Sequence, residues 1–324
     1  MIPLRAAIAK RTLQMDALSD PVDAQALLGL LRLLFATGRD DLPLGRLFEG
    51  HVDAMQIVLR YGNGLQRERL ERVARAGATF GVWNADLAGE PLQLSDLHLS
   101  GGKSFASGAG VLSNALVTVD VPGGRQLIML DLTRTPPEID RRFWRVTGME
   151  RSETHVVRWQ DVAIEAGDLI GGPGYYVREP WFSGGALRFA AVQAGGIAAL
   201  LDGTREHLVA TGRAGDPHQS GRLAALYGLV AAAAAAVRTA VYGWFDDEDA
   251  RLPLVAAARA AVYQAGGEAI QLAQEAVGVQ ALFVDHPLAA IITDLSVYLR
   301  QPGPDTQRMS VGAAVAAGTL TVAL

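Results

Sequence analysis

The chain contains no cysteine, which removes disulfides, thiolate metal sites and a cysteine nucleophile from consideration. Aromatic residues make up 6% and charged residues 19%, and 29 basic against 34 acidic side chains leave a formal net charge of −5. No basic run forms a stripe, so the charge pattern offers nothing to nucleic acid or to an anionic membrane surface. The six histidines lack the short spacings of a metal site, and no metal is expected. Residues 1–10 carry Arg5 and Lys10 without a long apolar core, which does not read as a signal peptide. An uncharged run of 15 residues between Arg222 and Arg238 is mostly alanine. It reads as a buried helix too short to span a bilayer. A soluble, cytoplasmic protein is the expectation.

Half of the 324 residues are hydrophobic, enough for two or three structural units. From about 23 to 76 the pattern is helical, with Leu44, Phe48, His51, Met55 and Val58 recurring on one face. The turn Gly62-Asn63-Gly64 separates this helix from a second over 66–75. The period then shortens. Residues 82–85, 92–99, 112–119, 126–132 and 154–160 read as short strands, with Gly101-Gly102 and Pro122-Gly123-Gly124 as punctuation. Strands without intervening helices predict an antiparallel barrel or sandwich. Beyond Pro180 the helical period returns. A stripe of Leu187, Ala190, Ala194, Ile197 and Leu201 is followed by helices over 223–241, 253–277 and 286–300, the makings of an antiparallel four-helix bundle. The predicted division is an N-terminal helical domain (1–76), a central β-domain (77–178) and a C-terminal bundle (179–324).

That order, together with several local motifs, resembles the acyl-CoA dehydrogenase superfamily across nearly the whole chain. Leu44-Gly45-Arg46-Leu47-Phe48-Glu49-Gly50-His51 is similar to the family's N-terminal helix. Leu99-Ser100-Gly101-Gly102-Lys103-Ser104-Phe105-Ala106-Ser107-Gly108 resembles its hairpin N-G-x-K-x-W-I-T-N. Residues 148–162 resemble G-x-R-x-S-x-T…v-x-F-x-D-V, and 278–287 have the length of the Gly-Gly-x-Gly…Pro loop, with Thr293-Asp294 in place of an Arg-Asp pair.

The resemblance implies FAD, a small-molecule substrate such as an acyl thioester, and a homodimer or homotetramer. Phe105 takes the place of the aromatic beside the flavin ring, and Ser107 that of the hydroxyl at its edge. Trp83 and Asn84 lie in the segment corresponding to T-E-P. Arg213 is placed for the pyrophosphate, Gly278 opens the glycine loop, and Glu275 replaces a glutamine that reaches the flavin from a partner subunit. An isoalloxazine needs an apolar wall and a few polar donors, which such a hairpin supplies.

The family's catalytic glutamate is missing from both of its usual positions. Nine residues past Thr293 stands Pro302, and the alternative position on the first bundle helix falls near Arg188. Asp285, His286 and Asp305 are the remaining candidate acid–base groups, against the simpler reading of each as a cap or surface charge. Three functions stay open: an acyl-CoA dehydrogenase-like flavin oxidoreductase that is inefficient on straight-chain acyl-CoA, a flavin-dependent monooxygenase, and a catalytically silent binding or scaffold protein.

Other signals read more plainly. Gly102-Lys103-Ser104 has Leu97 where a phosphate loop needs glycine. Gly171-Gly172-Pro173-Gly174 reads as a connector, Asp246-Asp247-Glu248-Asp249 as a solvated loop, and His51 as a hydrogen-bonded core residue.

Overall fold

A computed structural model describes residues 3–300 and 303–322. Pro302, the position expected for a catalytic base, lies outside the described residues. The chain divides into two compact units. One comprises 1–21, 46–145 and 150–182, and the other 22–45, 146–149 and 183–324.

The first unit joins helices to sheet. Helix α1 (Leu4–Thr12) gave no sequence signal, being short and without an amphipathic stripe. Helices α2 (Ala24–Asp40), α3 (Leu42–Tyr61) and α4 (Gly64–Arg75) follow in the chain, with α2 and the start of α3 in the second unit. Asn63 and Gln66 form a reciprocal capping box that fixes where α4 starts.

Eight strands follow among the described residues: β1 (Val82–Trp83), β2 (Gln93–Ser95), β3 (His98–Ala106), β4 (Asn114–Val121), β5 (Gly124–Asp131), β6 (Glu138–Asp140), β7 (His155–Ala163) and β8 (Leu169–Ile170). They build two four-stranded sheets, ordered β1-β4-β5-β8 and β2-β3-β7-β6. Met55, Val58 and Leu70 from the helices pack with Leu116, Leu127 and Met129 of the first sheet in one core.

Two expectations for this region need correction. The strand expected over 92–99 is two strands, because Asp96 and Leu97 turn the chain with positive φ. The motif over 99–108, expected as a hairpin in itself, is mostly strand β3, paired to β2 and β7.

The second unit is helical: α5 (Trp181–Gly184, divided equally between the units), α6 (Ala186–Ala210), α7 (Pro217–Asp246), α8 (Arg251–Val277), α9 (Pro287–Tyr298) and α10 (Pro304–Ala316). The four helices expected here are α6 to α9, and α10 is an addition. Asp216 with Pro217, and His286 with Pro287, set the starts of α7 and α9. Small residues set the helix spacing. A Cβ on Gly38 of α2 would overlap the Val192 carbonyl of α6, and one on Gly195 the Phe35 carbonyl. The helix read as a short alanine run is 30 residues long. Among the described residues, two stretches, 181–210 and 217–246, are long and apolar enough to cross a membrane. The first is 78% buried in its apolar window and the second only 28%.

Candidate functional site

In the first unit the candidate residues meet where β3 breaks register with β7, between Lys103 and Ala106. Phe105 sits inside this irregularity at φ +51°, a conformation that a bulky side chain adopts only when its surroundings impose it. The ring is 56% exposed, and its one described aromatic neighbour is Phe143, edge-on at 5.1 Å. Together they form an apolar ledge. Beyond it, Ser107 is buried, and its Oγ accepts a 3.0 Å hydrogen bond from Thr154 Oγ1, which is itself 2.8 Å from Ser152 Oγ. The Ser107 hydroxyl hydrogen is thus left to point elsewhere.

Trp83 is buried, and its indole N–H donates to the Ser107 carbonyl at 2.9 Å. It acts on this turn through the backbone. Asn84 faces a polar network: its Oδ1 accepts from Thr118 Oγ1 and from Arg125 Nη1. Lys103 anchors that network. Fully buried, its ammonium donates to Asp86 Oδ1 at 2.5 Å, Thr118 Oγ1 at 2.9 Å and the Asn84 carbonyl at 3.2 Å. Burial lowers the Lys103 pKa, against the opposing pull of Asp86. All three ammonium protons are placed, so the lysine of Gly102-Lys103-Ser104 is structural. Phe143 and the Lys103–Asp86 pair carried no signal in the sequence. Thr154 lies within the 148–162 motif.

In the second unit, Arg213 is exposed just past α6 and donates to the Ala276 carbonyl at the end of α8. That brings it beside Glu275, which is exposed, accepts from Gln271 and lies 4.0 Å from Arg222. Gly278 ends α8 at φ +83°. His286 caps α9 through Nδ1, accepting from Leu288 N–H, while its Nε2 lies 3.1 Å from Nδ1 of His207. Burial, then the charges of His286 and Arg213, lower the His207 pKa. Arg213, Glu275, Gly278 and His286 therefore gather around the ends of α6 and α8.

Asp285 is exposed in the loop before α9. Asp305 stands in the first turn of α10, its side chain 86% exposed and paired with Arg308 at 3.3 Å. Arg188 is half-buried on α6.

No family model matches the chain, and no curated protein does. Solved structures do. The butyryl-CoA dehydrogenase of Megasphaera elsdenii superimposes with a TM-score of 0.80 at 16% identity, over 97% of this chain and 89% of that one. The dibenzothiophene monooxygenase TdsC of Paenibacillus sp. A11-2 gives 0.78 at 16% identity, over 97% and 96%. KijD3, solved with FMN and a dTDP-linked amino-keto sugar, gives 0.77 at 20% identity, over 98% and 86%. The chain has the fold of the acyl-CoA dehydrogenases, a fold it shares with a monooxygenase.

Proposed function

We propose that this chain is a flavin-dependent oxidoreductase on the acyl-CoA dehydrogenase fold, with FAD as cofactor and a small molecule as substrate. The observation that carries the reading is the strained, exposed Phe105 beside the Ser107–Thr154 pair. A solvent-facing aromatic held at positive φ costs folding energy that a bound ring system would repay. The bound flavin would supply two-electron chemistry. Phe105 would give its ring an apolar wall, Ser107 would donate to its polar edge, and Arg213 would hold its pyrophosphate through a guanidinium fork. The three-part division at 76 and 178, and the cytoplasmic location, belong to the same proposal.

The monooxygenase reading is the second one. It is supported by the lack of a carboxylate at the two expected base positions and by the structural likeness to TdsC. The silent-scaffold reading is separated from both by flavin uptake. Reconstitution with FAD and with FMN should yield an oxidised-flavin spectrum, with FAD the tighter ligand. Ser107→Ala and Phe105→Ala should each weaken FAD about fivefold, the loss of one hydrogen bond or one ring contact. Unchanged affinity in both variants rejects this placement, and no flavin uptake at all rejects the oxidoreductase reading.

A homodimer or homotetramer completes the proposal. Ala224, Gly228, Ala231 and Ala235 of α7 share one exposed stripe, with Tyr227 67% exposed beside it. Val279, Leu282, Phe283 and Val284 add exposed apolar surface after α8. Monomers rarely leave such patches to water. Light scattering at micromolar concentration should give a multiple of 34.3 kDa, and a monomer alone refutes it.

A further inference from the structure

In the second unit the connection from α8 to α9 carries exposed apolar side chains at Val279, Leu282, Phe283 and Val284. Its own backbone bonds are local. Ala281 N–H donates to the Gly278 carbonyl, Phe283 N–H to that of Gln280, and His286 N–H to that of Phe283. Among the described residues, two side-chain hydrogen bonds join its ends to α6 and the turn behind it. Arg213 holds the Ala276 carbonyl, and His286 meets His207, with ring centroids 5.1 Å apart.

One bond fixes where the protons of this histidine pair reside. His286 Nδ1 accepts from the Leu288 N–H at 3.2 Å, so the neutral ring carries its hydrogen on Nε2. That Nε2–H donates to His207 Nδ1 at 3.1 Å, which leaves the His207 hydrogen on its own Nε2. The arrangement has no place for another proton. On His207 it would set an N–H against the Nε2–H of His286. On His286 it would confront the Leu288 N–H and remove the cap of α9. That second site also puts a cation at a helix N-terminus, where the macrodipole is already positive.

The surrounding charges do not compensate. Burial, then His286 and Arg213, lower the His207 pKa. Acids on the adjoining elements are engaged elsewhere: Glu206 with Arg205 on α6, Glu275 with Gln271 on α8, and Asp216 with the first N–H groups of α7. Asp285 precedes His286 and is exposed to water. Both imidazoles are half-buried, so the pair can open without unfolding the unit.

We propose that His207 and His286 form a proton-operated clasp, which ties the apolar α8–α9 loop to the end of α6 at neutral pH and releases it on acidification. The clasp needs no cofactor. Hydrogen exchange of the full chain at pH 7.5 and pH 5.5, corrected for intrinsic rates, tests it. Residues 279–290 should lose about tenfold in protection at the lower pH. That loss should vanish in His286→Asn, because asparagine keeps a capping acceptor and does not titrate. His207→Ala leaves the cap in place, and at pH 7.5 it should show the faster exchange of the wild-type chain at pH 5.5. Equal wild-type protection of 279–290 at the two pH values overturns the proposal. An equal loss in His286→Asn also overturns it, since the titrating group would then lie elsewhere. Unchanged exchange in His207→Ala at pH 7.5 rejects the clasp even if His286→Asn folds poorly.

Discussion

Anaerobic mixing of the flavin-loaded protein with straight-chain acyl-CoA thioesters should leave the flavin absorbance almost unchanged over the time an active dehydrogenase needs to bleach it. The proton α to a thioester carbonyl is weakly acidic, and a positioned base must take it. Loss of a general base costs on the order of 10²- to 10⁴-fold in rate. The two chain positions that resemblance assigns to the base hold Arg188 and Pro302. Neither side chain accepts a proton at neutral pH. The remaining candidates are poorly placed to abstract it, since Asp305 is solvated and paired with Arg308, Asp285 is exposed, and His286 is engaged by Leu288 and His207. Rapid bleaching by any acyl-CoA in a chain-length panel would overturn the prediction. Loss of that bleaching in Asp305→Asn would identify the base.

The order of helical, strand and helical segments was legible because each period has a simple physical origin. Leu44, Phe48, His51, Met55 and Val58 recur at three and four because one face of α3 is buried, and four of the five are essentially inaccessible. β4 is less orderly, since six successive residues from Asn114 are buried, yet its β-branched run and flanking turn were sufficient. What escaped was set by tertiary context. The length of β3 depends on pairing with two neighbours, and its irregularity at Phe105 follows from the β7 register. Short α1 has no amphipathic stripe, and α10 begins behind a Pro-Gly-Pro run that reads as loop.

The candidate site was legible only as far as its motifs. Phe105 and Ser107 came from a motif, whereas the ring partner Phe143 and the Trp83 bond to the Ser107 carbonyl join segments 24 to 38 residues apart.

Acidification should destabilise the unit that contains His51, beginning at a pH where most carboxylates are still charged. His51 is fully buried between Phe48 and Phe80. Its Nδ1 accepts from the Phe80 N–H at 3.1 Å, and its Nε2 lies 2.9 Å from Thr12 Oγ1. Thr12 gives its own hydroxyl hydrogen to the Ile8 carbonyl, so the bond from the ring must be Nε2–H to oxygen. Both ring nitrogens are therefore satisfied in the neutral form, and a proton on Nδ1 would confront the Phe80 N–H. Burial accordingly lowers the pKa to about 3 from 6.5. The unfolded chain takes up the proton first, so the stability is fully present above pH 6.5 and declines as pH falls from there toward 3. The slope approaches about 1.4 kcal/mol per pH unit, or about 2 kcal/mol in total between pH 7 and pH 5. Urea unfolding of the wild-type chain and of His51→Leu across that range provides the measurement. The variant starts less stable, because the Phe80 N–H loses its acceptor, but its pH slope should be flatter by about that amount. Parallel slopes in the two proteins would show that His51 is protonated as readily in the folded chain as in the unfolded one, and that the buried neutral imidazole is not what limits acid stability.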